Sequence, residues 1–328
     1  MRGRVSTRIP ALQPADGMSI LFTFPGQGAQ RPGMLHALPQ NVHVRNVLAE
    51  ASDTLGRDVL SLDSAHALRS SIAVQISLLV AAVAMARLLS DEAGPPDAVA
   101  GLSVGAYPAA VTALVLSYAD ALRLVELRAQ LMEAAYPIGY GMTAIMGLEQ
   151  TALEPLIAQV HSRASPVYLA NLNAPTQLVI AGTVPAMERV AALAQHRGAY
   201  AVKPIAISVP SHCPLLDAPA AQLARAIATV PLSPPRLRYF SASSVRVLQS
   251  PARIADDLAR NMAVPVKWHD TAVLAYEQGV RLTVEMPPGS VLTKLSTAAL
   301  PEVLSVSASN TRVDTLSVLM ERERHTEC

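Results

Sequence analysis

The hydrophobic positions of this chain follow two rhythms. Short apolar runs bounded by glycine and proline, such as Ile20-Leu21-Phe22-Thr23-Phe24 and the stretch near Ala98 to Gly101, have the pattern of strands buried on both faces. Longer segments between them carry helical spacing. From Ser117 onward the apolar positions Leu122, Val125, Leu127, Leu131 and Met132 recur near the helical period. The most apolar run, Ile72 to Leu89, is interrupted by Gln75, Ser77 and Arg87. Its uninterrupted part is too short to cross a bilayer, and it reads as a helix buried on most sides. The first strand ends in Pro25-Gly26-Gln27-Gly28-Ala29-Gln30, a loop with exposed main-chain N–H groups, and Gly94-Pro95-Pro96 stops the first helical stretch.

The rhythm changes at Gly139-Tyr140-Gly141. The spacing then predicts strand (Met142 to Met146), helix (Thr151 to Val160), strand (Val167 to Asn171), strand (Gln177 to Ala181), helix (Val184 to His196) and strand (Ala199 to Ile205). That β-α-β-β-α-β order is the signature of a ferredoxin-like module. Afterwards come a helix from Pro214 to Ala228 and strands near Tyr239 to Ser243 and Val280 to Glu285. The expected fold is therefore α/β: a large α/β-hydrolase-like domain with a parallel sheet over residues 18–138 and 208–310, with a small ferredoxin-like subdomain inserted at 139–207. Residues 1–17 are expected to be a disordered tail, or to reflect a start assigned ahead of Met18. Residues 311–328 are expected to be a C-terminal tail.

At 328 residues, 51% of them hydrophobic, the chain can bury a sizeable core. A net charge of +1 gives no bulk attraction for nucleic acid or a polyacid, and no membrane partner is expected. Met1 to Gly17 has no apolar segment of the kind a secretory signal needs. Two cysteines, Cys213 and Cys328, make no disulfide framework, so a reducing, cytoplasmic setting is expected. The eight histidines are scattered without metal-ligand spacing, so no metal is expected.

Candidate chemistry begins at Gly101-Leu102-Ser103-Val104-Gly105. A strand that turns this tightly into a helix holds its middle residue in a strained conformation. Flanking glycines remove the side chains that would clash there, and the serine oxygen is lifted clear. A nucleophilic serine needs a base. The best-framed one is His212 in Val209-Pro210-Ser211-His212-Cys213, because histidines 36, 43, 66, 161 and 196 sit among polar neighbours and read as surface residues. Arg128 by its neighbours alone reads as a residue on a solvated helix face, matched by Glu126 or Glu133.

Seven segments stand in the order of one family. They are Phe24-Pro25-Gly26-Gln27-Gly28-Ala29-Gln30, the serine elbow, Arg128 in Val125-Glu126-Leu127-Arg128, Asn171-Leu172-Asn173-Ala174-Pro175, Ser208 to Cys213, Ala263-Val264-Pro265-Val266-Lys267-Trp268 and Pro287-Pro288-Gly289-Ser290-Val291-Leu292. Over roughly residues 19–305 the chain resembles the malonyl-CoA:acyl-carrier-protein transacylases. The resemblance implies that Ser103 attacks the thioester of malonyl-CoA, with His212 as general base and acid, titrating near its ordinary value. It implies an oxyanion hole from the main-chain N–H groups of Gln27 and Val104, and a main-chain carbonyl at Lys267 to orient the histidine. It makes Arg128 the clamp for the malonyl carboxylate. It also places Gln75, Leu102, Ser211 and Asn173 at the substrate. No cofactor is bound; the partners are malonyl-CoA and the phosphopantetheine-type thiol of a small acyl carrier protein.

Family members of fatty-acid synthesis carry histidine and glutamate where this chain has Leu102 and Ala106. The elbow Gly-Leu-Ser-Val-Gly-Ala is similar to that of the malonate decarboxylase epsilon subunit, which loads the decarboxylase's own carrier subunit. That subfamily is the expected one, with malonyl transacylase of fatty-acid or polyketide synthesis as the alternative. A serine thioesterase or esterase would use water as acceptor and would not need Arg128. A non-catalytic carrier-binding subunit would show a decayed site.

Overall fold

The computed structural model describes residues 19–136, 138–207 and 209–325. The expected N-terminal tail, Ser208 and Cys328 lie outside the described residues.

The chain opens with β1 (Ile20–Phe24), buried along its whole length, followed by α1 (Val42–Leu55). The helix α2 (Ser71–Ala93) is long and apolar enough to cross a membrane, because its polar interruptions are too sparse to break it. It instead lies inside the protein, with most of its side chains in the main core. Ser70 caps its start by accepting the Ile72 N–H, and Glu133 accepts the Ser71 N–H at 2.5 Å. Next come β2 (Ala98–Gly101), a single tight turn at Ser103–Gly105, α3 (Ala106–Thr112) and α4 (Tyr118–Ala135).

The small subdomain follows as β3 (Tyr140–Met146), α5 (Gln150–Val160), β4 (Val167–Ala174), β5 (Gln177–Thr183), α6 (Val184–His196) and β6 (Ala201–Ile205). Its antiparallel sheet has the order β4-β5-β3-β6, the ferredoxin-like arrangement that the sequence predicts. Both helices cover one face, through Leu153, Leu156, Met187 and Val190 among others.

The chain then returns to the large unit with α7 (Asp217–Ile227), β7 (Arg238–Ser241), β8 (Arg246–Leu248), α8 (Pro251–Arg260), α9 (Trp268–Glu277), β9 (Leu282–Glu285), α10 (Val291–Ala299), β10 (Leu304–Ser307) and α11 (Val313–His325). The six-stranded sheet runs β10-β9-β1-β2-β7-β8, parallel throughout except for the β7–β8 pair. Its central strands are buried on both faces, as a parallel sheet covered by helices requires.

One expectation is corrected. The stretch 311–328 is not simply a tail, because α11 packs on α2 and buries Leu316 and Met320. Those two residues, one helical turn apart, form a narrow apolar stripe in a segment whose charges suggest solvent. Arg324 donates to the Pro95 carbonyl at 2.7 Å and fastens the end of the helix.

Two main-chain bonds fix the small sheet over the large one. Leu172 N–H donates to the Val266 carbonyl at 2.8 Å, and Val266 N–H donates to the Ala170 carbonyl at 2.9 Å. They tie β4 to the loop before α9, so one sheet becomes the floor of a cleft and the other its roof.

Candidate active site

The floor is set where β1 and β2 end side by side, with Phe24 in register with Gly101. Leu102 N–H donates to the Phe24 carbonyl at 2.9 Å, so the chain can leave the sheet only by turning sharply. A Cβ on Gly101 would meet the Gly105 carbonyl at 2.1 Å, and one on Gly105 would meet the Phe24 carbonyl oxygen at 2.1 Å. Ser103, between them, has φ of 58°. A left-handed conformation in a serine costs about 1 kcal/mol or more. It is the strained elbow the glycine spacing predicts, and it presents the serine oxygen to a cavity of about 210 Å³.

His212 comes from the segment that re-enters the large unit. It too has a left-handed backbone, with φ of 63°, and its N–H donates to the Met262 carbonyl at 2.7 Å. Its Nδ1 lies 2.6 Å from the Asn261 carbonyl and its Nε2 lies 2.9 Å from Ser103 Oγ. A carbonyl can only accept, so Nδ1 carries the proton and Nε2 offers its lone pair to the serine hydroxyl. The orienting carbonyl is therefore that of Asn261, not Lys267 as the family pattern implies. The Lys267 carbonyl accepts the Thr271 N–H and hydroxyl and starts α9. Asp217 is exposed at the head of α7.

Burial, and then the nearby Arg128 guanidinium, lower the His212 pKa to about 4. The expectation of ordinary titration is corrected accordingly: the ring is neutral at neutral pH and ready to accept a proton.

Arg128 is 1% exposed, so the solvated-face reading fails. Glu126 pairs with Arg57 at 2.6 Å, and Glu133 sits on the N-terminus of α2. The guanidinium donates through Nη1 to Gln75 Oε1 at 2.5 Å, and through Nη2 to Ser103 Oγ at 3.2 Å and Asn261 Oδ1 at 3.4 Å. Its Nε has no partner among the described residues. Burial lowers its pKa to about 10, leaving it cationic at neutral pH. A buried cation with no carboxylate beside it is costly unless an anion arrives. The chemistry that fits is an acyl group carrying its own carboxylate.

Gln27, Leu102, Ser211 and Asn173 all line the cavity. Gln75 is buried beside Arg128 and accepts from its Nη1, so it holds the guanidinium in place. Val104 has its side chain in the main core, which leaves only its main-chain N–H for an oxyanion. Gln27 is tied to α2 by a bond from Nε2 to Ser71 Oγ at 3.3 Å.

Two residues at the site, Asn261 behind the elbow and Asn171 on the cavity wall, receive no role from the sequence. Asn261, besides orienting His212, donates through Nδ2 to the Ser103 carbonyl at 3.3 Å. One asparagine thus touches the elbow, the histidine and the arginine. It follows a charge-rich helix and carries no local signal. Asn171 lies two residues before Asn173 on β4; register shifts at Leu169/Asn171 and at Leu172/Ala174 interrupt the alternation there, and both residues line the cavity. Cys213 is buried, and burial pushes its thiol up to about 12, which rules it out as a competing nucleophile at neutral pH.

Comparison with known proteins points the same way. The acyl transferase domain family matches residues 21–326. A malonyl CoA-acyl carrier protein transacylase from Salmonella typhimurium is 38% identical over 295 residues, covering 88% of this chain and 95% of its own length. The crystal structure of an acyl-carrier-protein S-malonyltransferase from Burkholderia pseudomallei superposes with a TM-score of 0.87 at 36% identity, covering 92% of this chain and all of that one. A malonyl-transacylase solved with its type II polyketide-synthase acyl-carrier protein gives a TM-score of 0.86 at 34% identity, covering 92% and 98%.

Proposed function

The chain belongs to the acyl transferase family, among its malonyl-CoA:acyl-carrier-protein transacylases, and on that premise we propose the path of its reaction. Ser103 Oγ attacks the thioester carbonyl of malonyl-CoA while His212 Nε2 takes the hydroxyl proton. The main-chain N–H groups of Gln27 and Val104 hold the oxyanion of the tetrahedral intermediate. The C–S bond breaks, and the proton on Nε2 passes to the departing sulfur, releasing CoA. The thiol of a carrier protein's phosphopantetheine-type arm then gives its proton to Nε2 and attacks the malonyl-serine ester. Ser103 leaves with that proton. Arg128 holds the malonyl carboxylate through two N–H groups, which selects malonyl over acetyl.

One observation carries this reading. A single serine oxygen lies within hydrogen-bond distance of both the neutral imidazole of His212 and the buried guanidinium of Arg128. The test is intact-protein mass spectrometry after brief mixing with malonyl-CoA or acetyl-CoA, with peptide mapping, then addition of a carrier protein in its thiol form. A malonyl adduct on Ser103 that the carrier removes, with little acetyl adduct, is the expected result. Release of CoA to water without an adduct favours a thioesterase. No adduct and no release means a carrier-binding subunit.

The names of the relatives favour a carrier of fatty-acid or polyketide synthesis over the decarboxylase carrier. A second reading, malonate decarboxylase epsilon subunit, rests on Leu102 and Ala106 in the elbow. Leu102 puts an apolar wall beside the nucleophile. Transfer rates to the two carriers, one bearing phosphopantetheine and one bearing the phosphoribosyl-dephospho-CoA arm, separate the readings. A cytoplasmic site of action goes with either, supported by the cysteine usage.

A further inference from the structure

The turn that ends α8 carries the groups that hold His212. The Asn261 carbonyl accepts from His212 Nδ1 at 2.6 Å, and the Met262 carbonyl accepts the His212 N–H at 2.7 Å. Ring and main chain of the base are therefore both placed by where α8 ends. Apolar packing reaches that end from one side. Ile254, Leu258 and Ala259 are the buried residues of α8, while an open cavity of about 620 Å³ lies against its last turn, with Asp257, Arg260, Asn261 and Val264 in its wall. Apolar contact is non-directional, so it resists separation better than sliding. Something polar has to fix the register of this helix.

Asp257 supplies the polar anchor. Its Oδ1 accepts from Ser241 Oγ at 2.6 Å and its Oδ2 from Tyr239 OH at 3.1 Å. Tyr239 and Ser241 stand two apart on β7 and so share a face. Ser241 Oγ in turn accepts the N–H of Ser244 at 3.1 Å and its hydroxyl at 2.9 Å, so its own proton is committed to the carboxylate. Bonds through both carboxylate oxygens fix the rotation of the side chain as well as its position. A further bond reaches the same turn from α3, where Tyr107 OH donates to the Leu258 carbonyl at 3.0 Å. Both anchors belong to the surroundings of the serine elbow. Ser241 is in register with Gly101 on β2, and Tyr107 is the second residue of the helix that follows the elbow. The path closes on itself. It runs from Gly101 to Ser241 and Asp257, then one turn along α8 to Asn261, whose N–H donates to the Asp257 carbonyl at 2.9 Å. From there it passes to His212 and back to Ser103 Oγ at 2.9 Å.

We propose that Asp257 is a positioning residue: by tying the last turn of α8 to β7 beside the elbow, it sets the distance between His212 Nε2 and Ser103 Oγ. It touches neither the substrate nor the reacting atoms. This rests on Ser103 and His212 acting as nucleophile and base in the malonyl-transfer reading, and adds what keeps them in register. Proton transfer needs hydrogen-bond geometry, and a misplacement of about 1 Å costs up to about a hundredfold in rate. The Arg128 clamp is held separately, by its 2.5 Å bond to Gln75 on α2, so binding of the malonyl group depends little on Asp257.

The test reads two rates on the full chain, on Asp257→Ala, on the pair Tyr239→Phe with Ser241→Ala, and on all three changes together. The first is malonylation of Ser103 as a function of malonyl-CoA concentration, by quenched mass spectrometry. The second is sulfonylation of Ser103 by phenylmethanesulfonyl fluoride, in which Oγ bonds to sulfur, fluoride leaves and His212 Nε2 takes the proton. That reagent carries neither a carboxylate nor CoA. Asp257→Ala is expected to lower the maximal malonylation rate and the sulfonylation rate by the same factor, about tenfold, with half-saturating malonyl-CoA within about twofold of the unaltered chain. The pair on β7 leaves the charge of Asp257 in place and is expected to match that loss, with no further loss when all three changes are combined. Additive losses, a loss on malonyl-CoA that sulfonylation does not share, or a lower unfolding temperature with both rates unchanged overturns the role. Should Asp257→Ala fail to fold, Tyr239→Phe decides alone, since it deletes one hydroxyl from an otherwise unaltered side chain. Sulfonylation about threefold slower is then expected, and an unchanged rate overturns the role. Sulfonylation of the unaltered chain without any malonyl adduct sinks the malonyl-transfer reading, and the sulfonylation rates still decide Asp257. No adduct with either reagent sinks both.

Discussion

The two sheets meet at one cavity and contribute to it in different ways. The large unit brings the reacting groups: Ser103 from the end of β2, His212 from the returning segment, and Arg128 from α4, joined to one another and to Asn261 by hydrogen bonds of 2.6 Å to 3.4 Å. The small antiparallel sheet brings no titratable group to the cavity. It brings Met142, Ala144, Asn171, Asn173 and Val179, a wall of apolar and amide side chains. The parallel sheet can hold strained backbone because its strands are buried on both faces and its elbow is packed from several sides. The antiparallel sheet has helices on one face only, which frees the other to shape a binding wall. The lesson is a division between charged and reacting groups, the Arg128 clamp among them, on the floor and neutral side chains on the roof. Substitutions of Ser103 and Asn261 should act on kcat and those on the roof on KM.

The largest effect belongs to Ser103→Ala. Malonylation should fall by about 10⁴-fold or more, with no adduct in the intact mass and an unchanged thermal unfolding curve. An adduct that persists in this variant breaks the comparison at its centre. Arg128→Ala should lower kcat/KM for malonyl-CoA by about 10²–10³-fold and leave acetyl transfer less affected, because the carboxylate loses its buried partner. Competition between labelled malonyl-CoA and acetyl-CoA reads this directly, and an equal loss for both would remove the clamp.

The pH profile is next. Only the neutral imidazole accepts the serine proton, and its pKa lies at about 4. The rate of acyl-enzyme formation should therefore rise as pH climbs through about 4 and stay level to neutrality. Stability follows the same sign. The unfolded ring takes a proton near 6.5 that the folded ring refuses until about 4, so stability drops as pH falls through that window. Arg128→Gln removes a cation that depresses the ring, and the acid limb of the profile should move to higher pH. A limb that stays in place would mean that burial alone sets the value.

Asn261→Ala keeps the main-chain carbonyl on His212 but deletes the side-chain bonds to the elbow and to Arg128. A loss of about tenfold in kcat with little change in KM is expected from steady-state rates. The smallest effect is on the roof. Met142→Ala should raise KM for malonyl-CoA about three- to tenfold and spare kcat, through lost apolar contact alone. A fall in kcat there would blur the division between the two sheets.

The sequence by itself determined the elements of the insert, the first two parallel strands and the serine elbow. Period-two and period-3.6 patterns gave the ferredoxin-like order of the insert, and the paired glycines around Ser103 announced the strained elbow, because both signals are local. It also singled out His212, whose role needed only a base near a serine. Four things belonged to the tertiary structure. The helical stripe of Leu316 and Met320 became core only once α2 was there to receive it. By its neighbours in sequence alone Arg128 reads as a surface residue; the fold sends Glu126 to Arg57 and Glu133 to a helix end, leaving the guanidinium buried with only neutral partners among the described residues. Asn261 replaced Lys267 as the histidine's partner because orientation by a carbonyl leaves no mark in residue type. The low pKa of His212 came from burial and from a cation brought in by another element. Each of these depends on which distant groups share a low-dielectric space, a quantity that no window of sequence contains.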